Sequence, residues 1–245
     1  MKERGVLFSA PMVRALLAVA KTQTRRLVKL REFGPSTTRG YDWTFRDKRA
    51  LWNDVGTKWL IERCPYGVPG DRLWVRETHA KFAVGDRGGI VPQCVAYRAT
   101  CDADGSFDYV NNGDEIMHLK VTKWTPAIFM PRWVSRITLE VTEVRVQRLQ
   151  DISEEDARAE GPLFAIDQEQ TVLFPGLTAE RNTGCSACQG DGRGIAELCH
   201  DSTRGKRRPF ACWYATVWDA INGTGSWERN PWVFAISFKR MEDKR

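Results

Sequence analysis

"SRITLEVTEVRVQRL", residues 135–149, holds the most regular pattern in the chain. Ile137, Leu139 and Val141 alternate with Thr138, Glu140 and Thr142, the two-residue period of a strand with one face in a core. From Val144 and Val146 onward the apolar residues fall on the other parity. A bulge or sharp bend near Glu143 absorbs that slip, as happens where a small barrel turns a corner. The stretch predicts one long strand, bulged or bent near Glu143.

Its neighbours extend the pattern. "DISEEDARAEGP" (151–162) offers Ser153 as N-cap, Asp156 three positions on, and Gly161 then Pro162 as a stop. That predicts a short helix with Glu160 on its last turn. "RLWVR" (72–76) alternates Leu73 and Val75 with Trp74 and Arg76, a strand entering the core. Near the C-terminus, "FACWYATVWDAI" (210–221) predicts a helix with Phe210, Trp213, Val217 and Ile221 at helical spacing, and in "NPWVFAISFKR" (230–240) Trp232, Phe234, Ile236 and Phe238 face one way. At the start, Ser9 suits an N-cap and Pro11 a first turn, and Met12, Ala15, Leu16 and Val19 form a helical stripe. The β-branched Thr22, Thr24 and Val28 then favour extended chain, so this helix ends at Lys21.

Other segments are less regular. Residues 31–65 read as a mostly irregular surface insertion, residues 83–114 as Gly-, Asp- and Asn-rich loops around a short strand at "CVAYRA" (94–99), and 165–209 as the least regular part. The "DADG" run at 102–105 lacks the later glutamate of a calcium loop. Several scattered strands, few helices and no βαβ rhythm argue for an α+β, mainly β fold. The expectation is a single domain over residues 1–245, a small β-barrel decorated by short helices, with insertions at about 31–65, 81–130 and 163–209.

Composition narrows the function. A net charge of +6 makes an anionic partner plausible, and ten tryptophans offer surface for stacking as well as for core. No window of about 18 uninterrupted apolar residues and no signal-peptide core is present, so the chain reads as soluble, cytoplasmic and without a membrane partner. Seven cysteines, an odd number, suit reduced thiols or metal ligands better than a secreted disulfide framework. In "CSACQGDGRG" (185–194), Cys185 and Cys188 form a C-x-x-C knuckle followed by glycines. Cys212, with Cys199 or His200, would complete the four ligands of a structural zinc clamping the 163–209 insertion as a small subdomain.

"AKTQTRR" (20–26), "GDRLWVRET" (70–78), "ITLEVTEVRVQRLQDISEEDARAEG" (137–161) and "NPWVFAISF" (230–238) occur in the order seen in the ASCH family. The chain looks especially like the longer ASCH proteins of bacteriophages and prophages. The resemblance implies a PUA-like barrel associated with RNA, DNA or modified bases. It also implies an activity, because one small bacterial ASCH type is an amidohydrolase that deacetylates N(4)-acetylcytidine without a cofactor. Its lysine and second threonine of K-T-x-T, and its glutamate after the long strand, correspond to Lys21, Thr24 and Glu160. Where the family usually has glycine and a basic residue before that lysine, this chain has Val19 and Ala20.

Amide hydrolysis needs a nucleophile, a group to take its proton, and a group to protonate the leaving amine. Thr24, Lys21 and Glu160 fit those roles, provided burial or neighbouring charge from Arg25, Arg26 or Arg76 lowers the lysine below about 10.4. Arg25 and Arg26 are expected at the entrance, where guanidiniums meet phosphate. Arg76 and Glu77 form a second candidate pair at a strand end, and Trp74, Trp133 and Trp218 are candidate stacking surfaces. Lys21 and Glu160 are expected within hydrogen-bond or single-water reach of Thr24, and substitution of the three is expected to cost little stability. Two alternatives stay open. One is a non-catalytic nucleic-acid-binding module of phage origin, with RNA favoured over DNA; the other is a phage accessory protein that binds a host protein through a Trp-rich surface.

Overall fold

β11 (Thr138–Arg148) is the longest strand and the hinge of the architecture. The computed structural model describes residues 1–83, 93–110, 116–161 and 209–241. β11 pairs antiparallel with β6 (Arg72–Arg76) over its first residues and with β12 (Trp232–Arg240) along most of its length. β1 (Glu3–Leu7) adds parallel to β6, and β2 (Gln23–Leu27) adds antiparallel to β12. The order is β1-β6-β11-β12-β2. The bend expected near Glu143 is present: Val141 faces Phe238 and Glu143 faces Ser237, so Thr142 is the extra residue. The bulge keeps Val141 and Val144, three positions apart, in the same core.

Among the described residues this ladder is open, where a closed barrel was expected. Its two edges nevertheless approach each other, since Arg26 Nη2 on β2 donates to Leu7 O on β1 at 2.7 Å. The α+β, mainly β character stands, with four short helices among the described residues: α1 (Ala10–Leu17), α2 (Thr57–Glu62), α3 (Glu154–Ala159) and α4 (Pro209–Asn222). None of the described helices is long and apolar enough to cross a membrane.

Two cores flank β12. The larger gathers Val13 and Leu16 of α1, Leu73, Val75, Leu139 and Val141 of the sheet, and Phe234, Ile236 and Phe238 of β12. Leu73, Leu139 and Ile236 are fully enclosed, each contributing about 1.5–3 kcal/mol of burial. The smaller joins Leu149, Ile152 and Ala157 to Ala211, Tyr214, Ala215 and Trp218 of α4, with Val233 from the other face of β12. This corrects the stripe expected on α4. Val217 is buried as expected and Phe210 and Trp213 pack partly buried against this core, but the most enclosed face also includes Ala211, Tyr214, Ala215 and Trp218, and Ile221 is exposed, because two small alanines mark a contact that bulky residues next to them seemed to claim.

The 31–65 segment is not irregular. β3 (Arg31–Pro35), β4 (Trp43–Arg46) and β5 (Trp52–Val55) form an antiparallel sheet, followed by α2. Phe45 and Val55 are buried beneath it, and Trp43 meets Phe33 and Trp232 at ring-centroid distances of 5.1 and 4.8 Å. Strands of four or five residues leave too short an alternation to stand out. Likewise, the 81–130 segment carries two hairpins, β7 (His79–Ala83) with β8 (Gln93–Tyr97) and β9 (Ser106–Val110) with β10 (Ile116–Lys120). Asp104 serves the turn before β9, accepting from Ser106 and Lys120.

Candidate active site

α1 ends at Leu17, one turn earlier than its apolar stripe suggested. Val19 lies outside it, exposed and at φ +57°, a left-handed conformation that a β-branched side chain rarely takes. This is where the resembling family usually has glycine. The turn sends the chain back on itself: Lys21 N donates to Ala15 O at 3.1 Å, and Thr22 N donates to Ala159 O of α3 at 2.8 Å. Lys21 is thereby driven under the C-terminus of α3.

α3 arrives there as its capping sequence requires. Ser153 accepts from Asp156 N at 3.0 Å, and Gly161 ends the helix at φ +97°. Gly161 is needed twice over, since a Cβ there would stand 3.0 Å from Lys21 Cβ and 3.1 Å from Ala15 Cβ.

The result is a buried ion cluster. Lys21 Nζ donates to Glu160 Oε2 at 2.8 Å and to Glu160 O at 2.7 Å, joining residues 139 apart in the chain. Arg25 Nη1 donates to Glu160 Oε1 at 3.0 Å and Arg25 Nη2 to Asp156 Oδ2 at 3.0 Å. Asp156 Oδ1 also accepts from Gln23 at 3.0 Å and from Arg145 at 2.9 Å. The Lys21 and Arg25 side chains are wholly enclosed and that of Glu160 nearly so.

Burial lowers the Lys21 ammonium pKa, opposed by Glu160 and assisted by Arg26 and Arg25. Arg76 takes no part in this. Burial, reinforced by the negative charge of Glu160, raises the Tyr214 phenol well above its ordinary value, so it stays neutral. For Asp156, burial works upward, but the Arg145 and Gln23 hydrogen bonds and the Arg25 charge together hold the carboxyl below the usual range.

A cavity of about 190 Å³ opens beside the cluster, lined by Thr24, Arg25, Arg26, Glu160, Tyr66, Tyr214 and Trp218, among others. Strand alternation sends Gln23 and Arg25 toward α3 and Thr24 and Arg26 to the other face of β2. Thr24 is buried, yet among the described residues no direct hydrogen bond joins its hydroxyl to Lys21 or Glu160. Lys21 and Glu160 therefore meet each other directly, while Thr24 shares the cavity lining with Glu160 and makes no direct hydrogen bond to either.

The remaining candidates lie elsewhere. Trp74 carries the Arg76 guanidinium over its ring at 5.2 Å, beside Gly5, and Arg76 Nη2 donates to Ile128 O. Glu77 is buried but belongs to Arg136, which grips both its oxygens at 2.9 and 3.0 Å. None of Trp74, Arg76 and Glu77 lines the cavity. Trp133 is exposed under Lys81, so of the three stacking candidates it is Trp218 that reaches the cavity.

Asp156, Gln23, Arg145, Tyr66 and Tyr214 were not singled out as site residues from sequence. A signal existed for two pairs: Asp156 and Glu160 are four apart on one helix face, and Gln23 and Arg25 are two apart on one strand face.

Of the expected zinc ligands, Cys185, Cys188, Cys199 and His200 lie outside the described residues. Cys212 sits on α4 and is one half of a disulfide, a use that competes with zinc ligation. Cys64 and Cys101 are free thiols. Among the described residues no cluster of three or more His, Cys, Asp or Glu is placed to hold a metal ion.

No protein-family model, no curated protein and no solved structure matches this chain.

Proposed function

We propose that the protein is a hydrolase of acylated or similarly modified nucleobases, an amidohydrolase of the N(4)-acetylcytidine kind on a PUA-like, ASCH-type scaffold. The observation that carries the proposal is the 2.8 Å contact of buried Lys21 with Glu160, a residue on the wall of a cavity that Thr24 also lines. As an ion pair the two residues are in the wrong protonation states for amide hydrolysis. Moving one proton across that contact yields an amine and a carboxylic acid, a base and an acid side by side. Burial is the force that lowers the Lys21 ammonium toward the amine.

The chemistry follows in order. The neutral Lys21 amine accepts the Thr24 proton as Thr24 Oγ attacks the acyl carbon. The amide C–N bond breaks as Glu160 protonates the leaving nitrogen, and an acyl-threonine ester forms. Water then hydrolyses the ester to acid and free threonine hydroxyl. Arg25 keeps Glu160 Oε1 occupied and leaves Oε2 as the oxygen that exchanges a proton with Lys21. Asp156 fixes Arg25 in turn. Incubation with N(4)-acetylcytidine and mass analysis of products tests the proposal. Cytidine and acetate are expected from the wild type and not from Thr24→Val.

The non-catalytic alternative has one observation in its favour. Lys21 bonds the carbonyl of Glu160, the residue that caps the end of α3, as a plain helix-end cation would. A protein of that kind shows salt-dependent nucleic-acid binding unaffected by Thr24→Val.

A further inference from the structure

Arg26, Lys29 and Trp218 give the cavity a chemistry that the catalytic cluster does not use. Arg25 is spent on Glu160 and Asp156. Arg26 and Lys29 also line the cavity, and among the described residues neither forms an ion pair with a carboxylate. Arg26 is held in place by aromatic rings, its guanidinium 5.4 Å from the Phe8 centroid and 5.9 Å from that of Tyr66. Lys29 is exposed at the rim.

Three residues of the lining also carry donors without acceptors. Trp218 is 4% exposed, and its indole Nε1 is buried with no hydrogen-bond partner, as are Arg25 Nε and Arg26 Nε. Leaving a buried donor unpaired is unfavourable, so three such nitrogens on residues that line the cavity favour a ligand rich in acceptor atoms. The one carboxylate on the lining, Glu160, already takes Lys21 and Arg25. A cavity of about 190 Å³ is smaller than the ~300–1,000 Å³ pockets of drug-sized ligands, so a single ring fills it and the rest of the ligand lies at the mouth, beside Lys29.

Resting on the nucleobase-cleft reading above, we propose that the ligand is a phosphate-bearing nucleotide rather than a neutral nucleoside, its base in the cavity and its phosphate held by Arg26 and Lys29. A phosphate supplies both the missing negative charge and acceptor oxygens for a guanidinium fork. The base, flanked by Tyr66 and Tyr214, offers Trp218 Nε1 a ring carbonyl.

Equilibrium titration of the full chain with cytidine, cytidine 5′-monophosphate and the dinucleotide CpC tests this. A terminal phosphate favours the monophosphate and an internal one favours CpC, and either supports the proposal. The phosphorylated probe should bind about tenfold or more tightly than cytidine, and the difference should shrink as salt rises. Lys29→Ala and Arg26→Gln should each remove most of that difference, while Trp218→Phe should weaken the binding of cytidine and of the phosphorylated probes alike. Lys29 is exposed, so its variant is expected to fold even if Arg26→Gln does not.

Equal affinity for cytidine and both phosphorylated probes, no binding of any of them, or a difference that survives Lys29→Ala would overturn the proposal. The outcome is separable from hydrolysis. Deacetylation of N(4)-acetylcytidine with no phosphate preference sinks this inference alone, and phosphate-dependent binding with no deacetylation sinks the hydrolase alone.

Discussion

Glu160 holds two enclosed cations on one carboxylate, and this changes what its loss should do. None of the three proposed catalytic residues belongs to the apolar stripe, which suggested small stability costs. In the fold, Glu160→Gln leaves Lys21 and Arg25 buried with half their compensation gone. Denaturant unfolding should show a loss of about 3–5 kcal/mol, whereas Thr24→Ser should stay within about 1 kcal/mol. Lys21 adds a pH signature. Its folded pKa is lowered, so between that value and the unfolded value of about 10.4 the unfolded chain holds the extra proton. Stability from this group then rises with pH through that window. The stability of wild type relative to Lys21→Met should grow as pH rises toward the unfolded value of about 10.4. A constant difference would mean that Lys21 is not perturbed. Val19 offers a gain instead, because at φ +57° and exposed it is strained with little burial to lose. Val19→Asn should raise stability by about 1 kcal/mol, read as a higher unfolding midpoint.

At the scale of elements, α3 is the part on which the site depends. Its first residue, Glu154, accepts from Phe210 N at 3.0 Å and Ala211 N at 3.1 Å, so one carboxylate caps the start of α4. α4 in turn carries Tyr214 and Trp218 to the cavity. Glu154→Ala should cost about 1 kcal/mol and increase amide exchange in the first turns of α4, an effect that Glu155→Ala, on the same helix, should not reproduce. α3 was legible in the sequence because capping is local: Ser153, Asp156 and Gly161 each act within a turn. The bulge in β11 was legible because a two-residue period cannot change parity without an extra residue. What Asp156 and Arg25 do was hidden, since their partners lie more than a hundred residues apart and only the assembled sheet brings β2 beneath α3. α4 was read only in part: Val217 is buried as the stripe implied, but Ala211 and Ala215 signal little on their own, though their small size is what lets the helix approach.

At the scale of the whole molecule, the sheet order places the first and last thirds of the chain side by side, with β2 on β12 and both against α3. The site therefore exists only in the complete fold, and local unfolding of α3 or β2 should abolish activity before global unfolding. The β-rich class was readable from scattered alternating strands. The small β3-β4-β5 sheet was not, because its strands are brief and its apolar residues, Trp43 and Phe45, look like isolated aromatics. The zinc expectation belongs to this scale as well. Protein purified under reducing conditions, with Cys212 as a thiol, should carry about one zinc per chain by elemental analysis, and a metal-free result would remove that expectation.

The central claim is that Thr24, Lys21 and Glu160 form one hydrolytic unit. It is tested most directly by following N(4)-acetylcytidine by mass spectrometry with wild type and Thr24→Val, each first shown to be folded. The account predicts cytidine and acetate from the wild type and a rate lower by orders of magnitude from the variant. An inert wild type, or a Thr24→Val protein that deacetylates at the same rate, would contradict it.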